Sequence, residues 1–215
     1  MSNAPRRIAY ERGPFRVEEQ PIEGRQEPYI FVRRIGSVTV LPVVADLSGP
    51  QALVIDNERR YFGLSKASLA GGNAAGGHTD PEAPGDTVLR ELREETGYGY
   101  PDSAEPNMDL FALRKLSSTI EYPRHFAVVR DVRYLGGEAD NPNEVITLRP
   151  TPLEEYTDEL LGLRNGRIYA EVNGAFAKAG MECGREAVLG WLMGDLTVPD
   201  AAEVPQSFEP WLMRA

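Results

Sequence analysis

Sulfur and imidazole ligands are scarce in this chain, which has one cysteine and two histidines among 215 residues. Cys183 has no partner for an intrachain disulfide, and the sequence holds no cysteine cluster with the spacing of a zinc site. His78 and His125 also lack ligand-spaced partners, so we interpret each as a hydrogen-bonding loop or strand residue. These absences exclude a disulfide framework and a cysteine-based zinc site.

Long apolar runs and positive charge are also in short supply. No apolar segment approaches the ~18 residues of a membrane span. A secretory signal has an apolar stretch after its positive charges, and none follows the two arginines in the start, MSNAPRRIAYERG. The formal net charge of −10 disfavours broad binding to nucleic acid or anionic lipid. We therefore expect a cytoplasmic protein that binds neither nucleic acid nor membranes. A small anionic substrate is compatible with this charge if local cations or a metal compensate it.

The most informative segment runs from Gly76 to Tyr98 and reads GGHTDPEAPGDTVLRELREETGY. Its second half predicts a helix over Pro84–Thr96, because a proline stands in the first turn, apolar residues recur at helical spacing and Gly97 is a natural stop. Its first half continues a glycine-rich run that begins at Gly71. Glycines there permit close approach of the main chain to a phosphate or a metal.

Three glutamates of this helix, Glu91, Glu94 and Glu95, fall at i, i+3 and i+4 and share one face. Glu91 and Glu95 repel by roughly 0.2–0.5 kcal/mol, and the helix dipole disfavours the two last-turn glutamates by roughly 0.3–1 kcal/mol. Arg90 can pair with Glu94, whereas Thr87 stands where a cation for Glu91 would be expected. Clustered carboxylates suit Mg²⁺ or Mn²⁺, which would remove the repulsion. The alternative is a solvated acidic face, and the glutamates alone favour neither interpretation.

The rest of the chain alternates between strand and helix patterns. Ser37–Val44, SVTVLPVV, has the strongest strand signal, because it is β-branched and apolar on both faces. Residues 8–32 indicate two or three short strands, and the polar stretches 56–61 and 117–123 are interpreted as connections. Further strands are predicted at 52–55, 110–116, 126–132 and 145–148, and helices at 173–179 and 185–193.

Thr151–Glu154 has the pattern of a capping box with Pro152 at the first helical position, and it predicts a helix that ends near Asn165 and Gly166. Strands and helices mixed in this way predict an α/β fold in which helices cover both faces of a mixed sheet. We expect a short N-terminal β subdomain at 1–34, a main domain at 35–194 and a C-terminal tail at 195–215.

The spacing of Gly76, Glu82, the run Arg90–Glu95, Gly97 and Tyr98 resembles the signature of the Nudix hydrolases, GX5EX7REUXEEXGU, in which U is a bulky apolar residue. Every defining position matches, and Tyr98 is the only slightly unusual choice. The resemblance implies a Nudix-type α/β/α sandwich with a mixed sheet for residues 35–194. It also implies a pyrophosphatase that uses Mg²⁺ or Mn²⁺.

The resemblance extends to the ADP-ribose pyrophosphatase branch of that family, which has an N-terminal β subdomain that builds a homodimer. That branch normally has a glutamate and a proline just before the signature, where this chain has Gly72 and Ala74. Its later substrate-side glutamate is also displaced, with Tyr122 at the aligned position and Glu121 beside it. These departures concern the leaving sugar and not the metal site. The matching segments are residues 37–44, 57–59, 125–131, 152–155 and 166–168.

The resemblance implies a role for each matching residue. Glu91 and Glu95 are the principal metal ligands, Glu94 joins or supports them, and the carbonyl of Ala75 completes the inner shell. Arg90 holds the glutamates in place, and Glu82 acts through the waters of the metal.

Other residues are expected on the substrate side. Glu144 is a further ligand or the general base, and its alternative is an exposed loop carboxylate. Arg59 contacts the nucleotide or its phosphates, and its alternative is a surface arginine beside a strand. Glu121 and the loop glycines Gly76 and Gly77 are also expected to contact substrate.

The implied reaction is hydrolysis of a nucleoside diphosphate linked to X, giving a nucleoside monophosphate and X-phosphate. ADP-ribose is the first candidate, and related nucleotide sugars follow. One alternative is a hydrolase that sanitises nucleoside triphosphates or dinucleotide polyphosphates. Another is a non-catalytic ligand-sensing module on the same fold, which is disfavoured because all the signature glutamates are present. We also expect a homodimer.

Overall fold

The computed structural model describes residues 5–46, 48–59, 64–76, 78, 80–101, 104–116, 120–136, 144–162 and 166–198. The elements within these residues are, in chain order, β1 (Arg7–Arg12), β2 (Phe15–Gln20), β3 (Tyr29–Arg34), β4 (Ser37–Asp46), β5 (Gly49–Arg59), β6 (Leu64–Ser68), α1 (Pro84–Thr96), β7 (Tyr98–Gly99), β8 (Asn107–Leu116), β9 (Ile120–Arg130), β10 (Arg133–Tyr134), β11 (Glu144–Pro152), α2 (Leu153–Leu161), α3 (Gly166–Lys178) and α4 (Arg185–Met193).

Nine of these strands form one mixed sheet in the order β1-β2-β3-β9-β4-β5-β11, with β8 paired to β9 and β6 paired to β5. Strand β9 runs parallel to β3 and β4, and its pairing with β8 is antiparallel. Strands β7 and β10 form a separate two-stranded pair beside the end of α1.

The central strands of the sheet are buried on both faces. On one face α2, α3 and α4 pack on the sheet around Trp191, which is fully buried and meets Phe111 and Phe176 edge to face. On the other face Val88 and Leu92 of α1 pack against β4 and β9. The predicted fold class, an α/β fold with helices on both faces of a mixed sheet, is confirmed.

The expected N-terminal strands are present as an antiparallel set, β1–β2–β3. They join the central sheet through parallel pairing of β3 with β9, at Val32 with Ile120 and Arg33 with Glu121. The boundaries proposed at residues 34 and 194 remain predictions. No helix in the described part of the chain is long and apolar enough to cross a membrane.

The capping box expected at Thr151 is wrong. Thr151 and Pro152 continue β11, paired with Ala52 and Gln51 of β5, so the helix begins only at Leu153. The residue before that helix is Pro152, whose side chain has no oxygen for capping. The helix ends at Leu161, and residues 166–178 form the separate helix α3.

Two stretches interpreted as connections are instead partly strands. Strand β5 continues through residues 56–59 because β11 pairs with it up to Arg59. Strand β9 begins at Ile120, which pairs with Val32 of β3, and its pairing with β8 begins at Glu121. In both cases a neighbouring strand supplies the hydrogen bonds, which local composition does not reveal.

Candidate active site

Helix α1 forms one side of the candidate site. A proline stands in its first turn, and Gly97 ends it in the left-handed conformation with φ of 72°, so that its N–H donates to the carbonyl of Arg93. The bounds Pro84–Thr96 agree with those expected from the sequence. Burial of Val88 and Leu92 against the sheet sets the rotation of the helix. Glu91, on the adjacent face, is itself only 8% exposed.

The other side of the site is the loop of residues 70–76, which is held against β4. Val40 N–H donates to the carbonyl of Ala70 at 2.7 Å, and Val38 N–H donates to that of Gly72 at 2.9 Å. Gly71 has φ of 152°, and a Cβ there would lie 2.3 Å from the carbonyl oxygen of Val38. The close approach of this loop to β4 therefore requires glycine at position 71.

Glu91 and Gly72 are in close contact. A Cβ at position 72 would lie 2.3 Å from Glu91 Oε1 and 2.5 Å from Oε2, so the carboxylate rests directly on the loop backbone. Burial raises the pKa of Glu91, and the positive charge of Arg90 opposes that rise without cancelling it. The protein thus keeps a carboxyl group where its ionised form is disfavoured unless a further cation is present.

Arg90 joins three carboxylates. Its Nη1 lies 2.9 Å from Glu91 Oε1 and 2.8 Å from Glu94 Oε2, and its Nη2 donates to Glu82 Oε2 at 3.1 Å. The hydrogen bond from Arg90 lowers the pKa of Glu82, and these carboxylates together raise the pKa of Arg90. The turn before Glu91 offers no cation at Thr87, as expected, and the cation that pairs with the Glu91 carboxylate is its immediate neighbour Arg90.

Glu82 is tied to the loop at Ala75. Its Oε2 accepts from the N–H of Ala75 at 3.0 Å, and its own N–H donates to the Ala75 carbonyl at 2.9 Å. That carbonyl was expected to bind metal, and a carbonyl oxygen has a second lone pair for such a ligand. Gly76 has φ of 83°, and a Cβ there would lie 2.4 Å from the Asp80 carbonyl, so the turn at this point requires glycine.

Glu95 and Glu94 complete the acidic face of α1. Glu95 Oε2 accepts from the N–H of Gly71 at 2.7 Å, which links the end of the helix to the loop. The Glu94 side chain is 42% exposed, against 10% for Glu91. The two carboxylates that Arg90 Nη1 bridges therefore differ in access to solvent.

The donor atoms of the site are carboxylate and carbonyl oxygens, which are the ligands that Mg²⁺ and Mn²⁺ prefer. In the described part of the chain, no three His, Cys, Asp or Glu side chains are placed to hold a metal ion together. The reason is visible in the contacts, since Glu82, Glu91 and Glu94 converge on the guanidinium of Arg90. Three carboxylates share that one guanidinium and one of them is buried, so negative charge exceeds positive charge at the site. The donor set therefore still fits a divalent cation.

The remaining predicted residues are described only in part. Gly77 lies outside the described residues, and Arg59, Glu121 and Glu144 are placed by their backbone alone. Arg59 and Glu144 face each other as a cross-strand pair at the ends of β5 and β11. Glu121 pairs with Leu116 of β8 and Arg33 of β3. The pairing of Arg59 with Glu144 brings two predicted substrate-side residues together from distant points in the sequence.

Asn73 also belongs to the site, although its sequence context predicts no role for it. Its side-chain Oδ1 accepts from Nη2 of Arg34 at 2.8 Å, and its main-chain carbonyl accepts from Nη2 of Arg90 at 2.8 Å. The only sequence signal was its place in the segment that departs from the branch pattern just before the signature.

A cavity of about 370 Å³ lies away from these residues, at the opposite end of β4. Its lining includes Val44, Asp109, Arg130 and Met193, and none of the predicted site residues. Arg130 there is buried and donates to the carbonyls of Leu192 and Trp191 at the end of α4, while it also pairs with Asp109. These contacts have a structural explanation as a helix C-terminal cap.

Comparison with known proteins gives a structural similarity and no sequence match. No protein-family model matches the chain, and no curated protein matches it significantly. Among solved structures, the chain is similar to one described as "Crystal structure of ADP compounds hydrolase", with a TM-score of 0.57 and 18% sequence identity. The similarity covers 90% of this chain and 95% of that one. The two proteins share a fold.

Proposed function

We propose that the protein is a metal-dependent hydrolase that cleaves the diphosphate linkage of a nucleoside diphosphate linked to X. The observation that carries this proposal is the gathering of Glu82, Glu91 and Glu94 around Arg90, directly beside a glycine-rich loop. The Nudix-like spacing of the same residues supports it, as does a fold shared with a protein described as an ADP compounds hydrolase.

The charge balance of the site favours a cation ligand. Three carboxylates share one guanidinium, and Glu91 is held where burial raises its pKa. A buried carboxylate is stabilised in its ionised form by an additional positive charge. Glu91, Glu94 and Glu95 with the carbonyl of Ala75 would hold Mg²⁺ or Mn²⁺, and Arg90 and Glu82 would keep these ligands in position.

The chemistry of a diphosphate explains the need for such a site. Its negative charge repels hydroxide, and a bound divalent cation neutralises that charge and lowers the pKa of a bound water. Glycines 71, 72 and 76 let the loop pack closely on Val38, the Glu91 carboxylate and Asp80, which keeps its main chain beside the acidic face of α1. Glu144 would remove the proton from the attacking water, and Arg59, beside it in the sheet, would bind the nucleotide or its phosphates.

ADP-ribose is the first substrate candidate, and other nucleotide sugars follow. The products would be a nucleoside monophosphate and a sugar phosphate. Glu121 and the main chain at Gly76 and Gly77 would contribute to substrate binding. The structural neighbour, whose description refers to ADP compounds, supports an adenine nucleotide as the first test.

The test is a substrate panel assayed with Mg²⁺, with Mn²⁺ and with a chelator, in which every product is identified. We expect metal-dependent release of a nucleoside monophosphate and a sugar phosphate from at least one nucleotide sugar. Release of pyrophosphate from nucleoside triphosphates alone would favour the sanitising alternative. Tight nucleotide binding without turnover would favour a sensing module and contradict the proposal.

A further inference from the structure

We propose that Asn73 is a positioning residue that couples the N-terminal strands to the carboxylates of α1 through Arg90. The contacts alone support this coupling of the N-terminal strands to Arg90, and its consequence for catalysis rests on the proposed function. Two arginines meet Asn73 from different parts of the chain, one at its side chain and one at its main-chain carbonyl.

The first part of the link is the anchoring of Arg34 at the end of β3. Arg34 faces Phe15 across the β2–β3 pair, and its guanidinium lies 5.1 Å from the centre of the Phe15 ring. From there Nη2 donates to Asn73 Oδ1 at 2.8 Å. The N-terminal strands thus present a charged donor to the loop of residues 70–76, and a hydrogen bond from a charged group is stronger than one from a neutral group.

The second part is the fixed direction of the Asn73 carbonyl. Backbone hydrogen bonds hold both neighbours of Asn73. The carbonyl of Gly72 accepts from the N–H of Val38 in β4, and the N–H of Ala74 donates to the carbonyl of Gly36, the residue before β4. These bonds fix the loop close to the sheet, and the Arg34 contact fixes the residue between them. The carbonyl of Asn73 then accepts from Nη2 of Arg90 at 2.8 Å.

The third part is the position of Arg90 among the carboxylates. The Nη2 atom that donates to Asn73 also donates to Glu82, while Nη1 bridges Glu91 and Glu94. A planar guanidinium moves as a unit, so the Asn73 carbonyl helps to decide where all three carboxylates lie. Changes to residues that orient metal ligands typically lower metal affinity or activity by about 10- to 100-fold.

The experiment compares Asn73→Ala, Arg34→Gln and the double variant with the parent protein. Asn107→Ala is the matched control, because Asn107 also makes a side-chain hydrogen bond, to Asp131, at the opposite end of the sheet. Solvent exchange of the Arg90 Nε–H is followed by ¹⁵N NMR without metal and assigned by its loss in Arg90→Lys. This N–H donates to Glu82, so its exchange rate reports how firmly the guanidinium is held among the carboxylates. Mn²⁺ affinity by calorimetry and the separate kcat and KM values report its consequence.

We expect faster Arg90 Nε–H exchange in Asn73→Ala and Arg34→Gln, and Mn²⁺ affinity and kcat lowered about 10-fold with a smaller change in KM. The double variant should be no worse than the worse single variant, because both changes break one pathway. Asn107→Ala should leave all three readouts unchanged. Thermal melts of each variant identify any that fails to fold, and Arg34→Gln tests the link should Asn73→Ala do so.

Unchanged Arg90 exchange in both single variants would overturn the inference, whatever the activity of the protein. Additive losses in the double variant would also overturn it, because they would show separate effects. Failure of the parent protein to hydrolyse any nucleotide would instead contradict the proposed function, and the NMR result would still decide whether Asn73 positions Arg90.

Discussion

The carboxylate of Glu91 occupies the space that a side chain at Gly72 would need, with Oε1 2.3 Å from the position of such a Cβ. Real Cβ atoms do not approach an oxygen this closely, so the two positions are interdependent. The absence of a side chain at residue 72 lets a buried carboxylate of α1 lie on the loop that precedes it. The geometry of the acidic face is therefore set by the loop as well as by the helix.

The first prediction follows from this contact. Gly72→Ala should push the Glu91 carboxylate away from the loop and lower Mg²⁺-dependent kcat by about 10-fold or more, as loss of ligand orientation does elsewhere. The measurement is kcat as a function of Mg²⁺ concentration.

Gly85→Ala in the first turn of α1 is the control. A Cβ there would meet only the terminal methyl of Met108, at 3.8 Å, so activity should be retained. Stability should stay the same or rise by about 0.5–1 kcal/mol, since alanine favours a helix over glycine. Retention of full activity in Gly72→Ala would contradict the role given to the Glu91 contact.

The second prediction concerns the pH dependence of stability. Because burial raises the pKa of Glu91, the folded metal-free protein binds a proton more tightly at this site than the unfolded chain. Stability contributed by this group should therefore fall as pH rises from the unfolded pKa, about 4.3, through the higher folded value. Glu91→Gln should remove this dependence and make the metal-free protein relatively more stable at neutral pH.

Urea denaturation of the parent protein and Glu91→Gln between pH 4 and pH 7, both with chelator, measures the effect. The difference between the two isolates Glu91 from Glu82, whose pKa shift has the opposite sign. A constant difference across this range would contradict the prediction. The same variant should lose at least about 10-fold in metal-dependent activity.

Much of the site could be predicted from the sequence, because its main element is local. The bounds of α1 follow from a proline, a glycine and an apolar spacing within one segment, and they match the structure. The partners of Arg90 could not be predicted, since Asn73 reaches it only because backbone pairing of the loop with β4 brings the two together. The pairing of Arg59 with Glu144 likewise depends on a strand register that no local pattern contains.

The third prediction tests the cation directly. Mg²⁺ or Mn²⁺ should raise the thermal unfolding midpoint of the parent protein, because a ligand that binds the folded state at 100 times its Kd adds about 2.7 kcal/mol. Differential scanning fluorimetry with and without chelator measures the shift. Glu95→Gln, which removes one carboxylate that lies beside Gly71, should reduce both the shift and the turnover. Unchanged turnover in Glu95→Gln would refute the proposed metal ligands.

The fourth prediction is a homodimer formed through the N-terminal strands. Tyr10, Phe15 and Ile30 lie on one face of β1–β3, because their cross-strand partners place them on the same side, and each is more than 40% exposed. Burial of such apolar side chains is the usual driving force for association. Light scattering should give a dimeric mass for the parent protein, and Tyr10→Glu combined with Ile30→Glu should shift it to the monomer.

Tyr134→Glu is the control, because Tyr134 is 62% exposed but lies on β10, outside this sheet. A monomeric mass for the parent protein would contradict the prediction, and a dimer that survives the double change would place the interface elsewhere.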